Sequence, residues 1–370
     1  MKYPFYSKKK FLAIDRQVLN RIMKFFQNLK NGFHDYIEAN THQNRAIAKI
    51  EKFFNKTSVL SYHTFSDYKH KNQAKRSIWP CLLGRFVLAV YWLKFFIPVV
   101  FSTEWAKWMT CEFCYIIGNP FLFSIMICLL LLLCITFSLH IQYEEWNQTL
   151  YILDFMDDIK NNCSELRLSP RYQRKLCLRI NFFFDYLIIV YLSQVVLVSL
   201  VFITSLILAY IDPNTGYSLI LTIFWSVMSI LVTFYGFSTF ALIFLIWFFT
   251  TLYFKYKFNE INDSFIKSHK FLNKYSFLKD IESHNRFVRL MDHLNRFLSW
   301  IIFFVYYFGT PGVQMVCYIT HEKSTIIMVR LVSGIITCVA FSIDFGMNLL
   351  SANVIHSAHK PYRLLYNFFY

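Results

Sequence analysis

The sequence predicts an all-α, polytopic integral membrane protein with six transmembrane helices. Three observations carry that expectation. Six apolar runs are each long enough to cross a bilayer, a distance of roughly 20 helical residues. Hydrophobic residues make up 56% of the chain and charged ones 16%, whereas a large soluble protein carries nearer to about a quarter charged. Lysine and arginine also collect in every second segment joining the runs.

The first 79 residues form a basic amino-terminal region in which Phe25, Phe33, Phe53 and Phe54 suggest helical pieces. No apolar core follows Met1 to Lys10, so there is no secretory signal peptide and the first span is expected to act as its own insertion signal. Residues 80–350 hold the spans: Phe86 to Thr103, Tyr115 to Ile141, Phe183 to Tyr210, Tyr217 to Phe254, Trp300 to Ile319 and Ile326 to Leu350. The fourth run is too long for a perpendicular crossing, so it tilts or continues past the membrane as one helix.

Residues 1–79, the connections 142–182 and 255–299, and residues 351–370 carry 16, 6, 9 and 2 lysines and arginines; the three opposite loops carry Lys107 and Lys323 alone. Positive residues stay on the cytoplasmic side, which puts the amino terminus and the 351–370 segment in the cytoplasm. The net charge of +16 is then a face meeting anionic lipid. No nucleic-acid recognition motif appears in residues 1–79, and no nucleic-acid partner is expected. The sequons at Asn55, Asn147, Asn162 and Asn262 all fall on the cytoplasmic side and are read as chance matches.

The connection 255–299 reads as helix twice, with Phe258, Ile261 and Phe265 on one stripe and Phe287, Leu290, Leu294 and Phe297 on another. In the connection 142–182, Trp146, Leu150, Leu153 and Met156 share a side. Such stripes face either a partner helix or lipid. Packing is favoured, because the opposite faces mix both charge signs.

Polar atoms within the spans are the candidate functional groups. Lys94 lies near the middle of span one and Asp344 in the inner half of span six. Intramembrane charges are costly and usually paired or facing water. The two either pair, or each faces its own aqueous crevice, or Lys94 snorkels. Span four carries Thr222, Ser226, Ser229, Thr233 and Gly236 on one small, polar stripe. Close helix packing is its commonest meaning, a ligand pocket the less frequent one. Span five contains Gly309-Thr310-Pro311-Gly312, which predicts a kink. Tyr307, Pro311, Gln314 and Tyr318 share a face beside it, an aromatic and amide lining suited to a small molecule. Tyr307, Gln314, Tyr318, Ser226 and Thr222 are therefore the candidate ligand-binding residues.

Cys111-Glu112-Phe113-Cys114 in the first outer loop reads as free or locally bridged thiols, and His356 and His359 form a lone pair without a zinc pattern. No cofactor or metal is expected. Acyl-transfer, nucleotide-binding and zinc-protease motifs are all missing, and the chain is not expected to be an enzyme.

The plan resembles a known family. A cytoplasmic amino terminus, basic inner connections, a long fourth span running inward and a helical connection before span five look like the arthropod gustatory receptors of the insect chemoreceptor superfamily. The stretch from Leu252 to Asn262 is similar to the family's exit from span four, and His284-Asn285-Arg286 through Arg296-Phe297 to its entry to span five. The resemblance implies a ligand-gated cation channel subunit for small tastants or odorants, in the plasma membrane, in a homo- or hetero-oligomer of four. The family ends in a seventh span that lines the ion pathway and carries a Thr-Tyr…Gln-Phe signature, and this sequence stops at Tyr370, where that span would begin. The expectation that follows is no ligand-gated current from this chain alone. A transporter or accessory subunit is the alternative.

Overall fold

The computed structural model describes residues 43–57, 59–72, 76–101, 120–161, 163, 165–211, 219–270, 274–321, 334, 337–338 and 345–360. In chain order the helices are α1 (Gln43–Thr57), α2 (Phe65–Lys69), α3 (Trp79–Val100), α4 (Pro120–Trp146), α5 (Tyr151–Lys160), α6 (Pro170–Ile211), α7 (Leu219–Lys270) and α8 (Lys274–Phe304). A π-helical turn at Val305–Gly309 leads into α9 (Thr310–His321), and α10 spans 345–360. Among the described residues no strand forms, only an isolated bridge between Tyr62 and Arg76.

Four of these helices contain stretches long and apolar enough to cross a membrane: Trp79–Val100, Ser124–Trp146, Pro170–Val196 and Ile220–Lys267. They mark a membrane-embedded protein. Inside hydrocarbon each backbone N–H and C=O must find its partner within the segment, which the helix ladder supplies. The fifth apolar run does not stand among these four because the π turn divides it, leaving a twelve-residue α9 beyond. Most of the sixth run, including Asp344, lies outside the described residues, as do Cys111, Cys114, Phe25 and Phe33.

Helix α7 is the axis of the bundle. In its most apolar window 56% of the residues are buried, against 28% for α6, so α7 is central and α6 peripheral. It packs on α6, α8 and α3, and more lightly on α4 and α1. Two cores lie along it. Toward its amino-terminal half, Trp225, Met228 and Val232 meet Leu88, Tyr91 and Phe95 of α3 and Leu131 and Cys134 of α4. Toward its carboxy-terminal half, Phe249, Tyr253, Phe254 and Phe258 meet α1, α5 and α8. The fourth run, expected to tilt or to continue as one helix, lies within a single 52-residue helix.

The second core accounts for the stripes read from the sequence. Phe258, Ile261 and Phe265 are buried, as are Phe287, Leu294 and Phe297. Leu150, Leu153 and Met156 are buried as well, but Trp146 ends α4 on a different axis and is 59% exposed. Helix α1 lays Ile47, Ile50 and Phe54 onto this core, and Phe53 meets Phe184 edge-on.

Polar side chains close the helix ends. Asn262 Nδ2 donates to the Ser357 carbonyl at 3.0 Å, and His284 Nε2 lies 3.0 Å from the Ala358 carbonyl. These two side chains tie α10 to α7 and α8. Asn262 is buried, which leaves its sequon no room for a glycan in this fold.

Gly84 is required by a close approach. A Cβ there would sit 2.6, 2.9 and 3.0 Å from ring carbons of Tyr235 on α7. Gly84→Leu is expected to destabilise the protein by about 1–3 kcal/mol through overpacking, beyond the gain of about 1 kcal/mol in helix propensity. A thermal melt of the purified chain in detergent measures this, and an unchanged or raised Tm would show that α3 and α7 do not meet there.

Candidate functional site

The polar stripe of α7 is a packing face. Ser226 Oγ donates to the Thr222 carbonyl at 2.7 Å, Ser229 Oγ to the Trp225 carbonyl at 2.8 Å and Thr233 Oγ1 to the Ser229 carbonyl at 2.8 Å. Each hydroxyl is thereby satisfied one turn back along its own helix. A bond between Ser229 Oγ and Tyr91 Oη crosses from the stripe to α3. Since the serine proton goes to Trp225, the tyrosine is the donor. At Gly236 a Cβ would lie 3.5 Å from Cys134 Sγ and 3.8 Å from Leu88, so α3 and α4 both approach the stripe closely. Thr222 and Ser226 are buried on this same face.

Lys94 sits at the edge of that contact. Its Nζ is 4.9 Å from the Trp225 ring centre and 5.3 Å from those of Tyr91 and Phe95. The side chain is 6% exposed and lies under rings from α3 and α7. Aromatic faces carry negative charge and hold an ammonium group at such distances.

Span five presents a different surface. Pro311 cannot donate, and in a regular helix its ring collides with the carbonyl four residues back. The π turn relieves this, with Thr310 N–H reaching back five residues to the Val305 carbonyl. Where the sequence predicts a kink, the helix runs on through a π turn just before the proline, and the regular i, i+4 ladder is disturbed there. Tyr307 and Tyr318 are 64% and 51% exposed, and Gln314 is exposed between them. Tyr307 stacks on Phe303 at 5.8 Å. Tyr306 Oη donates to Asn348 Oδ1 of α10 at 3.4 Å. Tyr307, Gln314 and Tyr318 form an exposed face, whereas Thr222 and Ser226 are buried on the α7 stripe, so the two sets sit in different surroundings.

A cleft at the opposite end was not visible in the sequence. It holds about 540 Å³ between α5 and α8. Asp154 and Asp158 line one wall and Arg289 and His293 the other, over a floor that includes Phe155 and Phe287. The Tyr151 and His293 rings close one end at 4.2 Å, and an ion pair between Glu165 and Arg286 closes the other. That pairing holds the Glu165 carboxyl below its usual range and the Arg286 guanidinium above its own. The i, i+4 and i, i+3, i+7 spacings place each set on one helix face, but the two faces are separated by some 130 positions. No spacing rule links them.

Below the cleft, burial raises the Asp157 carboxyl; Lys69 and Lys160 act in the opposite sense, and Asp158 and Glu51 add to the rise. Asp157 accepts from Asn161 Nδ2 at 3.0 Å and lies 4.0 Å from Lys69 Nζ.

No protein-family model, no curated protein and no solved structure matches this chain. The functional reading therefore draws on the geometry and on the resemblance seen in the sequence.

The raised Asp157 gives a signed expectation. The folded state binds this proton more tightly than the unfolded state, so the stability it contributes is complete below the unfolded carboxylate range and is lost as pH rises through the raised value. Asp157→Asn should raise Tm at neutral pH, and the gain should shrink as pH falls toward about 4. A variant less stable than wild type at neutral pH would show that the Lys69 attraction outweighs burial.

Proposed function

We infer that the chain is a six-span chemosensory receptor of the gustatory-receptor type, a ligand-gated cation channel subunit for small tastants or odorants. The fifth span runs from the end of α8 through the π turn into α9, and the sixth apolar run, Ile326 to Leu350, ends in α10. The observation that carries the reading is the π turn directly before Pro311. It puts a break in the helix beside the exposed Tyr307, Gln314 and Tyr318 face. The same helix then continues into the aromatic core at the polar end, where α8 meets α7. A ligand on that face that changes the turn can shift α8 against α7, which is the coupling a receptor needs. The mixture of aromatic bodies and one amide suits a small, mostly apolar ligand. The setting is the plasma membrane with a cytoplasmic amino terminus, and the oligomer is the resemblance's tetramer.

The second reading, a transporter or accessory subunit, is favoured by exposed polar groups on α9 and α10. Gln314 and Asn348 are unsuited to lipid and suit contact with a partner subunit.

Two measurements separate these. Tastant panels applied to the purified chain, read by thermal shift, report binding; the same panels applied to expressing cells report current. Gln314→Ala and Tyr318→Phe should each raise the half-maximal concentration of an active tastant about tenfold, roughly the loss of one well-placed hydrogen bond, with Tm unchanged. Binding without current keeps the receptor and assigns conduction to a partner. No binding across the panel contradicts the receptor reading.

Orientation has its own check. An epitope inserted before Lys8 should be labelled only after permeabilisation, and labelling on intact cells would invert the topology.

A further inference from the structure

Helix α6 carries four bands of residues in sequence along a single exposed face. At its amino-terminal end, Arg171, Arg174, Lys175 and Arg179 are exposed. Next come Phe182, 69% exposed, and Tyr186, 37% exposed. Beyond them lie Ile189 and Leu192 and then Val196 and Leu200, each more than half exposed. At about 100° per residue, positions 171, 175, 182, 189, 196 and 200 fall on nearly one line down the helix. The face is available because α6 is the least buried of the four apolar helices.

The order is the one a bilayer imposes. Aliphatic groups belong in the hydrocarbon, aromatic side chains at the boundary, and lysine and arginine at headgroup depth. Below the boundary the four cations stand within about 12 Å of helix length.

The cations are held in place rather than trailing in solution. The Arg171 and Lys175 charges lie 5.8 and 5.7 Å from the Tyr172 ring centre, and Arg179 lies 5.6 Å from that of Tyr256 on α7. Tyr172 Oη donates to Asp263 Oδ2 at 2.7 Å. The acids near the band are Asp263 and Glu260 on α7, and both are already engaged: Glu260 accepts from Ser169 N–H at 2.8 Å and from Lys257 at 3.2 Å. On α6 itself the single acid is Asp185, within the aromatic band between Phe182 and Tyr186 and half-buried. Four cations therefore face outward against one acid on the helix.

We propose that Arg171, Arg174, Lys175 and Arg179 form a docking band for the phosphate groups of anionic lipid headgroups, with Phe182 and Tyr186 marking the membrane boundary above it. This rests on the membrane character of the chain and stands whether or not the chain is a receptor, since tastant binding is read separately.

The test uses the full chain in detergent. Short-chain phosphatidylserine, phosphatidylcholine and inorganic phosphate are titrated separately, and the rise in Tm is followed. Phosphatidylserine is expected to stabilise at far lower concentration than phosphatidylcholine, and inorganic phosphate not at all. The variant Arg171→Gln, Arg174→Gln, Lys175→Gln should raise the phosphatidylserine midpoint on the order of a hundredfold, from about fivefold per basic residue at a membrane surface. Arg171→Lys with Arg174→Lys should keep it. A control variant, Lys267→Gln, Lys279→Gln, Arg296→Gln, removes the same charge from exposed positions of α7 and α8 and should leave the midpoint unchanged. Equal midpoints for the two lipids in the wild-type chain overturn the proposal without any variant. Equal losses in band and control variants overturn it in favour of general charge attraction. Stabilisation by inorganic phosphate alone overturns it in favour of a soluble-anion site.

Discussion

The structure depends on one helix remaining intact across two environments. Helix α7 leaves an apolar zone, where its own ladder must satisfy every backbone group, and continues into a packed core of rings. Phe155 of α5 stacks on Phe254 with an interplanar angle of 1° and meets Tyr253 edge-on at 5.0 Å. Phe249, Tyr253 and Phe258 are at most 1% exposed. Aromatic side chains of this size dominate core energetics, and edge-on pairs add about 0.5–1.5 kcal/mol beyond the area they bury. The elements α1, α5 and α8 are therefore organised by what α7 presents to them.

Side chains of α7 also bind the segment joining α5 to α6. Tyr253 Oη donates to the Leu166 carbonyl at 2.8 Å, Lys257 Nζ to the Arg167 carbonyl at 3.0 Å, and Glu260 accepts from Ser169 N–H. Buried backbone groups left without such partners cost the full desolvation penalty. A second instance lies at the end of α4. There the buried Glu145 accepts from both the N–H of Ser61, at 2.9 Å, and its hydroxyl, at 2.7 Å. This ties the segment before α2 to the end of the membrane helix.

Much of this was legible because helix period and burial are local properties. The spacing of Phe258, Ile261 and Phe265 is enough to predict a buried stripe, and Pro311 is enough to predict a broken ladder. The stripe through Trp146 failed at its first member because a turn at Asn147 and Gln148 changes the axis before α5, and periodicity carries across no such turn. Gln148 adopts φ of 55°, a conformation that the sequence did not signal. For the candidate site, local reading identified the small-residue stripe but not its partner. That Ser229 bonds Tyr91, or that rings of two helices surround Lys94, depends on a crossing between residues some 130 positions apart. The cleft was illegible for the same reason, since α5 and α8 each read as an ordinary polar face.

The central claim is that α7 runs without interruption from the apolar zone into the aromatic core. Hydrogen exchange on the purified full chain in detergent tests it most directly. Amides from Phe249 to Ile261 should be among the slowest to exchange, protected as strongly as those from Trp225 to Gly236 in the apolar zone. Rapid exchange confined to Thr250 through Phe258 would mean that the helix breaks where it leaves the membrane, and the account of the polar end would fail with it.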